Sequence, residues 1–470
     1  MTVKAMTIKT RLSVLLILLL SQPVFAQDIR VSIGTQDTTI NCAAGGLLIR
    51  ELNLLEKYLP KTGPYQDAHY DIQWSNFTSG APLTNEMVAG KIDIGSMADF
   101  PAAFNGDAFQ KAGKQSLFIN VLSASIAGSG NGIVVPKAST VQSLADLKGK
   151  TISVPFASTA HGMLLRALQQ QGLDPENDVN LITQAPEVAG SALQTNKIDA
   201  HADFVPFAEL FPYRGFARKI YDGAQANAPT LHGTVVSAEY ARKYPEVVQA
   251  FLQAALEANQ LLKAEPEKYS ELIAKLTGVD AEVVYLFHGP LGIQTRDFTW
   301  KPEYKQAVKT SFETLKLLKR TSTELDVKQF IDERYLQAAF KAAGLDYSAE
   351  LNNYAPTALI ANDARTGVAI NDFKQLSQLW VAGEPLVRHY ASAESAFIAR
   401  QQLLKEGKTI RAAYTQDYTL GIKLLAENAW FVVRNKSATS FLVKSQAEAY
   451  AKKQGGTVLD FSATQQTLAS

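Results

Sequence analysis

The sequence predicts an α/β protein followed by an α+β tail, and three observations support this fold class. Before Ala238, short runs rich in β-branched residues alternate with helical stretches, which is typical of a largely parallel sheet. From Ala238 to Leu345 the pattern is mostly helical. After about residue 350 the composition changes, and the remaining stretch is long enough to form a core of its own.

Each element follows from its local pattern. Alternating or β-branched residues predict strands at 28–34, 70–74, 91–97, 116–125, 131–136, 151–155, 179–182 and 198–204. Apolar residues at helical spacing predict a helix over 41–58, and further helices are predicted at 82–90, 160–171, 240–262 and 267–276. The sequence pattern of the tail predicts strands at 357–360, 367–370, 410–414, 429–433, 441–443 and 457–461, with helices at 391–405 and 446–454. The order strand, helix, strand occurs twice in the tail, which suggests a duplication.

The composition limits the classes of function. The chain has 470 residues, of which 46% are hydrophobic and 19% are charged, so it is too apolar to be disordered. Its net charge of +1 argues against a broad nucleic-acid-binding surface. The single cysteine, Cys42, excludes a CxxC zinc site, an iron–sulfur cluster and an intrachain disulfide. We expect Cys42 to be a buried small hydrophobic residue, with a nucleophile as the alternative.

Residues 1–26 have the pattern of a secretory signal peptide. Lys4, Lys9 and Arg11 precede an apolar run from Leu12 to Leu20 that is too short for a comfortable membrane span. A small-residue cleavage pattern ends at Ala26. The sequence therefore predicts a soluble exported protein, with an uncleaved membrane anchor as the alternative.

Common enzyme motifs are missing from the sequence. It contains no G-x-x-x-x-G-K-[ST], no H-E-x-x-H, no G-x-S-x-G and no EF-hand loop. The six histidines are scattered, and no two have metal-ligand spacing on one helix face. We therefore expect no catalytic residues, no cofactor and no metal site.

Several short segments between Asp28 and Leu345 occur in a characteristic order. They are 74–82 (WSNFTSGAP), 90–95 (GKIDIG), 99–101 (DFP), 143–152 (SLADLKGKTI), 158–161 (STAH) and 197–200 (KIDA). In this order they resemble the periplasmic substrate-binding proteins of ABC importers, in particular the nitrate/sulfonate/taurine group. The resemblance covers some 300 residues of the 470.

This resemblance implies a two-lobed periplasmic-binding-protein type II fold that encloses its ligand between the lobes. Crossovers are expected near 123–132 and 223–232, with a first lobe at about 27–125 and 232–350 and a second at about 126–231. The implied function is capture of a small anionic organic solute, such as a sulfonate or a sulfate ester. The implied partner is the membrane permease of an ABC importer, and the protein is expected to be a periplasmic monomer that does not bind nucleic acid.

The tail carries a second resemblance. The segments 429–433 (AWFVV), 449–451 (AYA) and 455–461 (GGTVLDF) are similar to the NosL family of copper-delivery accessory proteins. Residues 351–470 are therefore interpreted as a NosL-like α+β domain, with ordinary α+β structure as the alternative. The tail has neither Met nor Cys, so the family's copper site does not follow. We expect the tail to be a separate domain that ligand binding does not need.

Ligands of open α/β sheets lie beyond the carboxyl ends of the strands, and the candidate site residues come from loops there. In the first lobe these residues are Gln36, Thr78, Ser79, Asp99 and Phe100. The best-supported candidates are Ser158, Thr159 and His161, because they lie at the start of a helix whose free backbone N–H groups and dipole favour an anion. Simple capping is the alternative.

Three further residues complete the predicted site. His201 and Phe204 share a loop that could bind a polar head and an organic body together. The alternative for His201 is a solvent-facing loop histidine. His232 falls at the expected return crossover and could face the cleft.

Three functions compete at this point. The first is a binding module that delivers a solute to a permease. The second is an exported enzyme of the same superfamily that acts on pyrimidine-type substrates. The third, suggested by the tail alone, is a metal-handling accessory protein. Export without a catalytic constellation favours the binding module.

Overall fold

The computed structural model describes residues 27–318, 321, 324–355 and 359–468. The predicted signal peptide lies outside these residues. The first sheet has the strand order β2-β1-β3-β10-β4. Its strands are β1 (Asp28–Thr35), β2 (His69–Asn76), β3 (Ile94–Ala98), β4 (Ser116–Ser125) and β10 (Thr230–Ser237).

The second sheet has the order β7-β6-β8-β5-β9. Its strands are β5 (Gly132–Pro136), β6 (Thr151–Val154), β7 (Asn180–Thr183), β8 (Ala200–Asp203) and β9 (Ala217–Asp222). The α/β class is confirmed, but both sheets are mixed rather than largely parallel. The strands β10 and β5 each follow a passage of the chain from the other sheet, and each runs antiparallel to its two neighbours.

Helices cover both sheets and fill the stretch after β10. In the described residues up to 355 they are α1 (Leu47–Glu51), α2 (Leu54–Tyr58), α3 (Gly80–Val88), α4 (Asp99–Lys111), α5 (Thr159–Gln170), α6 (Pro186–Gln194), α7 (Phe207–Tyr213), α8 (Ala238–Lys243), α9 (Pro245–Ala264), α10 (Pro266–Thr277), α11 (Ala281–His288), α12 (Pro302–Leu317), α13 (Val327–Phe330), α14 (Arg334–Ala342) and α15 (Tyr347–Leu351).

The tail contains two small antiparallel sheets. They are built from β11 (Ser377–Val381), β12 (Arg388–Tyr390), β13 (Ile410–Gln416) and β14 (Lys423–Leu425), and from β15 (Trp430–Arg434), β16 (Ser437–Phe441) and β17 (Thr457–Leu459). The helices are α16 (Ala393–Lys405), α17 (Lys444–Gln454) and α18 (Phe461–Leu468). The order strand, strand, helix, strand therefore occurs twice, in line with the duplication pattern in the sequence.

Several element predictions were wrong for identifiable reasons. The helix over 41–58 is a 3-10 helix (Ile40–Gly45) followed by α1 and α2, because Gly46 (φ −164°, ψ −84°) and Asn53 (φ 51°) both have non-helical backbone conformations. The strand at 367–370 is a single bridge between Asn362 and Ala369. The strand expected at 357–360 lies partly outside the described residues. The helices α4, α6, α7 and α18 were not predicted.

The tail packs onto the rest of the chain through a buried interface. Tyr285 of α11 is fully buried, with its ring 5.4 Å from that of Trp380 and 5.5 Å from that of Tyr414. Tyr414 donates a hydrogen bond to the Glu282 carbonyl at 2.8 Å. Some tail residues therefore share a hydrophobic core with α11, while others form clusters within the tail itself.

No helix in the described part of the chain combines the length and the apolar character that a membrane crossing requires.

Candidate functional site

The first half of the site lies at one edge of the first sheet. The register pairs His232 with Ala98, and Gln36 follows β1 at the same level. The Gln36 side chain is held there by a 2.9 Å hydrogen bond from its Nε2 to the Ser96 carbonyl. Asp99 begins α4 directly after β3. The structure thus brings together Gln36, Asp99 and His232, three residues that the sequence predicts for the site.

Asp99 is a buried carboxylate with several donors. It accepts hydrogen bonds from Thr230 Oγ1 (2.8 Å), from the Leu231 backbone N–H (3.2 Å) and from the Ser311 hydroxyl. Burial raises the pKa of this carboxyl, while the donors and the Arg166 guanidinium oppose that rise. Asp99 therefore ties α4 to the start of β10.

The second half of the site is the start of α5, at the carboxyl end of β6. Ser158 is the N-cap, and its Oγ accepts a hydrogen bond from the His161 backbone N–H at 3.2 Å. Thr159 is 4% exposed, and its Oγ1 has no hydrogen-bond partner among the described residues. The His161 ring stacks on Phe156 with centroids 4.8 Å apart. A buried hydroxyl without a partner is costly, so Thr159 is suited to binding a ligand.

The edge of the first sheet and the start of α5 meet at the boundary between the two sheets. Phe100, at the start of α4, packs against α5, where a Cβ on Gly162 would lie 3.1 Å from the Phe100 ring. Arg166 of α5 donates to Thr314 Oγ1 of α12 at 3.4 Å and attracts Asp99. Phe100 and the start of α5 are therefore neighbours, as the site prediction requires.

His201 and Phe204 are buried more deeply in the protein than the residues of a ligand-binding loop would be. The His201 ring is fully buried, with Nδ1 2.7 Å from Ser153 Oγ and Nε2 2.7 Å from Asp203 Oδ2. Asp203 in turn accepts the Phe204 backbone N–H at 2.8 Å, and burial raises the pKa of the Asp203 carboxyl. His201 is thus not a solvent-facing histidine. Its contacts support the backbone of the Phe204 loop.

Thr78 and Ser79 lie at the outer end of the first edge. Both follow β2, next to the loop that contains Gln36, but Thr78 is exposed and Ser79 is half-buried. Ser79 precedes α3 without a side-chain capping bond. They occupy the rim of the site rather than its interior.

The structure contains a polar cluster around His232 that the sequence does not predict. Asn41 Nδ2 lies 3.4 Å from His232 Nδ1 and also donates to Gln294 Oε1. Gln294 Nε2 donates to the Ser129 carbonyl at 3.0 Å, in the first crossover. Burial lowers the pKa of His232 to about 3, so this imidazole is neutral. Only the fold joins Asn41 and Gln294, so no local sequence signal could have found the pair.

Arg296 adds a buried positive charge behind this cluster. Its side chain contacts His288 Nδ1 at 3.2 Å, while Nε and the other terminal nitrogen have no hydrogen-bond partner among the described residues. Burial lowers the pKa of Arg296 to about 9, which leaves it charged at neutral pH. Cys42 is buried nearby, and burial raises the pKa of its thiol, which disfavours a thiolate nucleophile. The surroundings of His232 therefore carry positive charge.

These features are suited to holding a small anion. A helix start, a buried hydroxyl and neutral amide side chains supply hydrogen-bond donors. The described residues contain no group of three or more His, Cys, Asp or Glu side chains that could hold a metal ion.

Comparison with known proteins places the chain in a family. The model of the NMT1-like family matches residues 60–277. The taurine-binding periplasmic protein of Escherichia coli (strain K12) is 32% identical over 282 residues, which are 57% of this chain and 84% of that protein.

Solved structures share the fold. The crystal structure of the periplasmic aliphatic sulphonate binding protein SsuA from Escherichia coli is 26% identical, covers 67% of this chain and 100% of its own, and has a TM-score of 0.52. A mutant of the enzyme DSZB in complex with biphenyl-2-sulfinic acid is 15% identical with a TM-score of 0.50, covering 67% and 99%, and shows the fold alone. The matches confirm the two-lobed binding-protein fold, and the structure shows an additional C-terminal α+β domain. The chain belongs to the NMT1-like family, together with the periplasmic binding proteins for taurine and aliphatic sulfonates.

Proposed function

We propose that this protein is a periplasmic solute-binding protein that captures a small organic anion, a sulfonate or sulfate ester, and delivers it to the permease of an ABC importer. The observation that carries the proposal is the start of α5, where Thr159 presents a buried hydroxyl without a protein partner beside free backbone N–H groups. The similarity to taurine- and sulphonate-binding proteins supports the same ligand class.

The proposed binding unit is residues 27–350, with lobes at 27–125 plus 232–350 and at 126–231. Within it, the proposed ligand contacts are Ser158, Thr159, His161, Phe100 and Gln36, with Thr78 and Ser79 at the rim. Asp99, His201, Phe204 and His232 are proposed to support the enclosing loops, since the Asp99 carboxylate already accepts hydrogen bonds from protein donors. The tail, 351–470, is proposed to be NosL-like in fold and to act without copper. The proposed protein is monomeric.

A thermal-shift panel tests the ligand class. Taurine, ethanesulfonate and a short alkyl sulfate are compared with ethylamine and ethanol, which are cationic and neutral. A true ligand at 100 times its Kd should raise the free energy of unfolding by about 2.7 kcal/mol. Stabilisation by ethylamine or ethanol, with no effect of any sulfonate or sulfate, would contradict the anion class.

Thr159→Val tests the site itself. The substitution removes a buried hydroxyl that makes no hydrogen bond to the described residues, so the free energy of unfolding should not fall and is expected to rise. Affinity for the sulfonate chosen by the panel should fall at least tenfold, because a hydrogen bond to a charged group contributes about 1.5–3 kcal/mol. Isothermal titration calorimetry measures the loss, and Thr140→Val, an exposed threonine of the same lobe, is the control. Equal affinity of Thr159→Val and wild type would exclude this site.

A further inference from the structure

The tail packs on α11, the helix that runs beside the first crossover. At the end of α11, the His288 ring lies 3.1 Å from the Ile40 carbonyl of the first lobe. Next to it, Phe287 lies against the first crossover, since a Cβ on Gly130 would be 3.4 Å from the Phe287 ring. Tyr285, in the middle of α11, is packed under the tail. The tail therefore rests on a helix that follows the connection between the lobes.

At the start of α11, three parts of the chain meet. Glu282 of α11 accepts a hydrogen bond from Arg411 Nε at 2.6 Å, and Arg411 also pairs with Glu271 of α10. Tyr213, at the end of α7 in the second lobe, donates to the Arg411 carbonyl at 3.2 Å. Burial, and then the Glu282 carboxylate, raise the pKa of the Tyr213 hydroxyl. We call Tyr213, Glu282 and Arg411 the hinge junction.

From these contacts we infer that the C-terminal domain is a hinge brace, which restrains the separation of the two lobes through the hinge junction. Opening the lobes moves α7 relative to α11 and so breaks the bond between Tyr213 and Arg411. The domain thereby adds to the stability of the arrangement in which the two sheet edges meet. This role goes beyond solute capture and gives the tail a function that needs no ligand of its own.

The test measures the distance between the lobes without any ligand, so its result does not depend on the proposed solute. Spin labels are attached to Asn85→Cys on α3 and Gln194→Cys on α6, both exposed, while the native Cys42 is buried and does not react. Double electron–electron resonance gives the distance distribution. Tyr213→Phe and Arg411→Met are compared with Arg434→Met, which removes an exposed arginine elsewhere in the tail.

We expect Tyr213→Phe to increase the population with longer inter-lobe distances by about two- to tenfold, the effect of one hydrogen bond of ordinary strength on an equilibrium. Arg411→Met should increase the population with longer inter-lobe distances further. Arg434→Met should give the same distance distribution as the parent protein. Tyr213→Phe removes one hydroxyl and leaves the ring, so it tests the brace even if Arg411→Met fails to fold. A Tyr213→Phe distribution that superimposes on the parent overturns the inference.

Discussion

A chain that ends at Asn353 is expected to aggregate or to lose several kcal/mol of stability. Removing the tail exposes Tyr285, whose burial alone contributes about 1.5–3 kcal/mol. Removing the tail also removes Arg411, which donates to Glu282, and the Val387 N–H, which donates to Glu267. Both carboxylates then remain beside an apolar surface without these donors. Such surfaces favour association between molecules. Solubility and urea unfolding of the short chain, compared with the full chain, measure the loss.

The control protein keeps the tail, but its covalent link to the rest of the chain is cut. A protease site inserted after Ile360, which is fully exposed, allows the folded protein to be cleaved there. The two pieces should stay together in gel filtration, because the interface and not the covalent link holds them. A short chain as soluble and as stable as the full one would show that the tail is dispensable.

Replacing Lys423 by Met is expected to stabilise the protein by about 3–4 kcal/mol at pH 7. Lys423 is fully buried, with Nζ 4.3 Å from the Tyr285 ring centroid and without a hydrogen-bond partner in the described chain. Burial lowers its pKa from 10.5 to about 7, with Glu267 opposing the shift. His389, Tyr414 and Gln378 also face this region, and burial followed by Lys423 lowers the pKa of His389 to about 4.

The sign of the pH dependence follows from these values. Between pH 7 and 10.5 the unfolded chain holds the Lys423 proton more tightly than the folded chain does, so wild-type stability rises with pH in this window. The advantage of Lys423→Met should therefore shrink across the window and vanish near its upper end. Lys444→Met is the matched control, since that lysine lies 4.8 Å from the Trp430 ring centroid but is exposed. A Lys423→Met advantage that does not change with pH contradicts this account.

Local pattern was sufficient for the elements that carry the proposed anion site. The strand β6, the N-cap Ser158 and the helix α5 follow from β-branched residues, a capping hydroxyl and apolar spacing within about 20 residues of one another. The helices α4 and α7 were missed because Pro101, Gly106, Pro206 and Pro212 interrupt the local signal while tertiary packing holds the helix.

Long-range contacts could not be predicted from one sequence. Asn41 meets Gln294, and Arg411 meets Glu282, across 253 and 129 residues respectively. The resemblance to a NosL-like domain likewise describes the tail by itself and says nothing about the face that packs on α11. Whether ligand binding needs the tail stays a prediction, but the interface between the tail and α11 exists only in the folded chain.

We propose that an organic anion is held between the lobes at the start of α5. A crystal structure grown with the sulfonate or sulfate that gives the largest thermal shift tests it most directly. We expect anion oxygens within hydrogen-bond distance of Thr159 Oγ1 and of the first free backbone N–H groups of α5, between the two sheet edges. An anion bound elsewhere, with Thr159 Oγ1 still unpartnered, would contradict it.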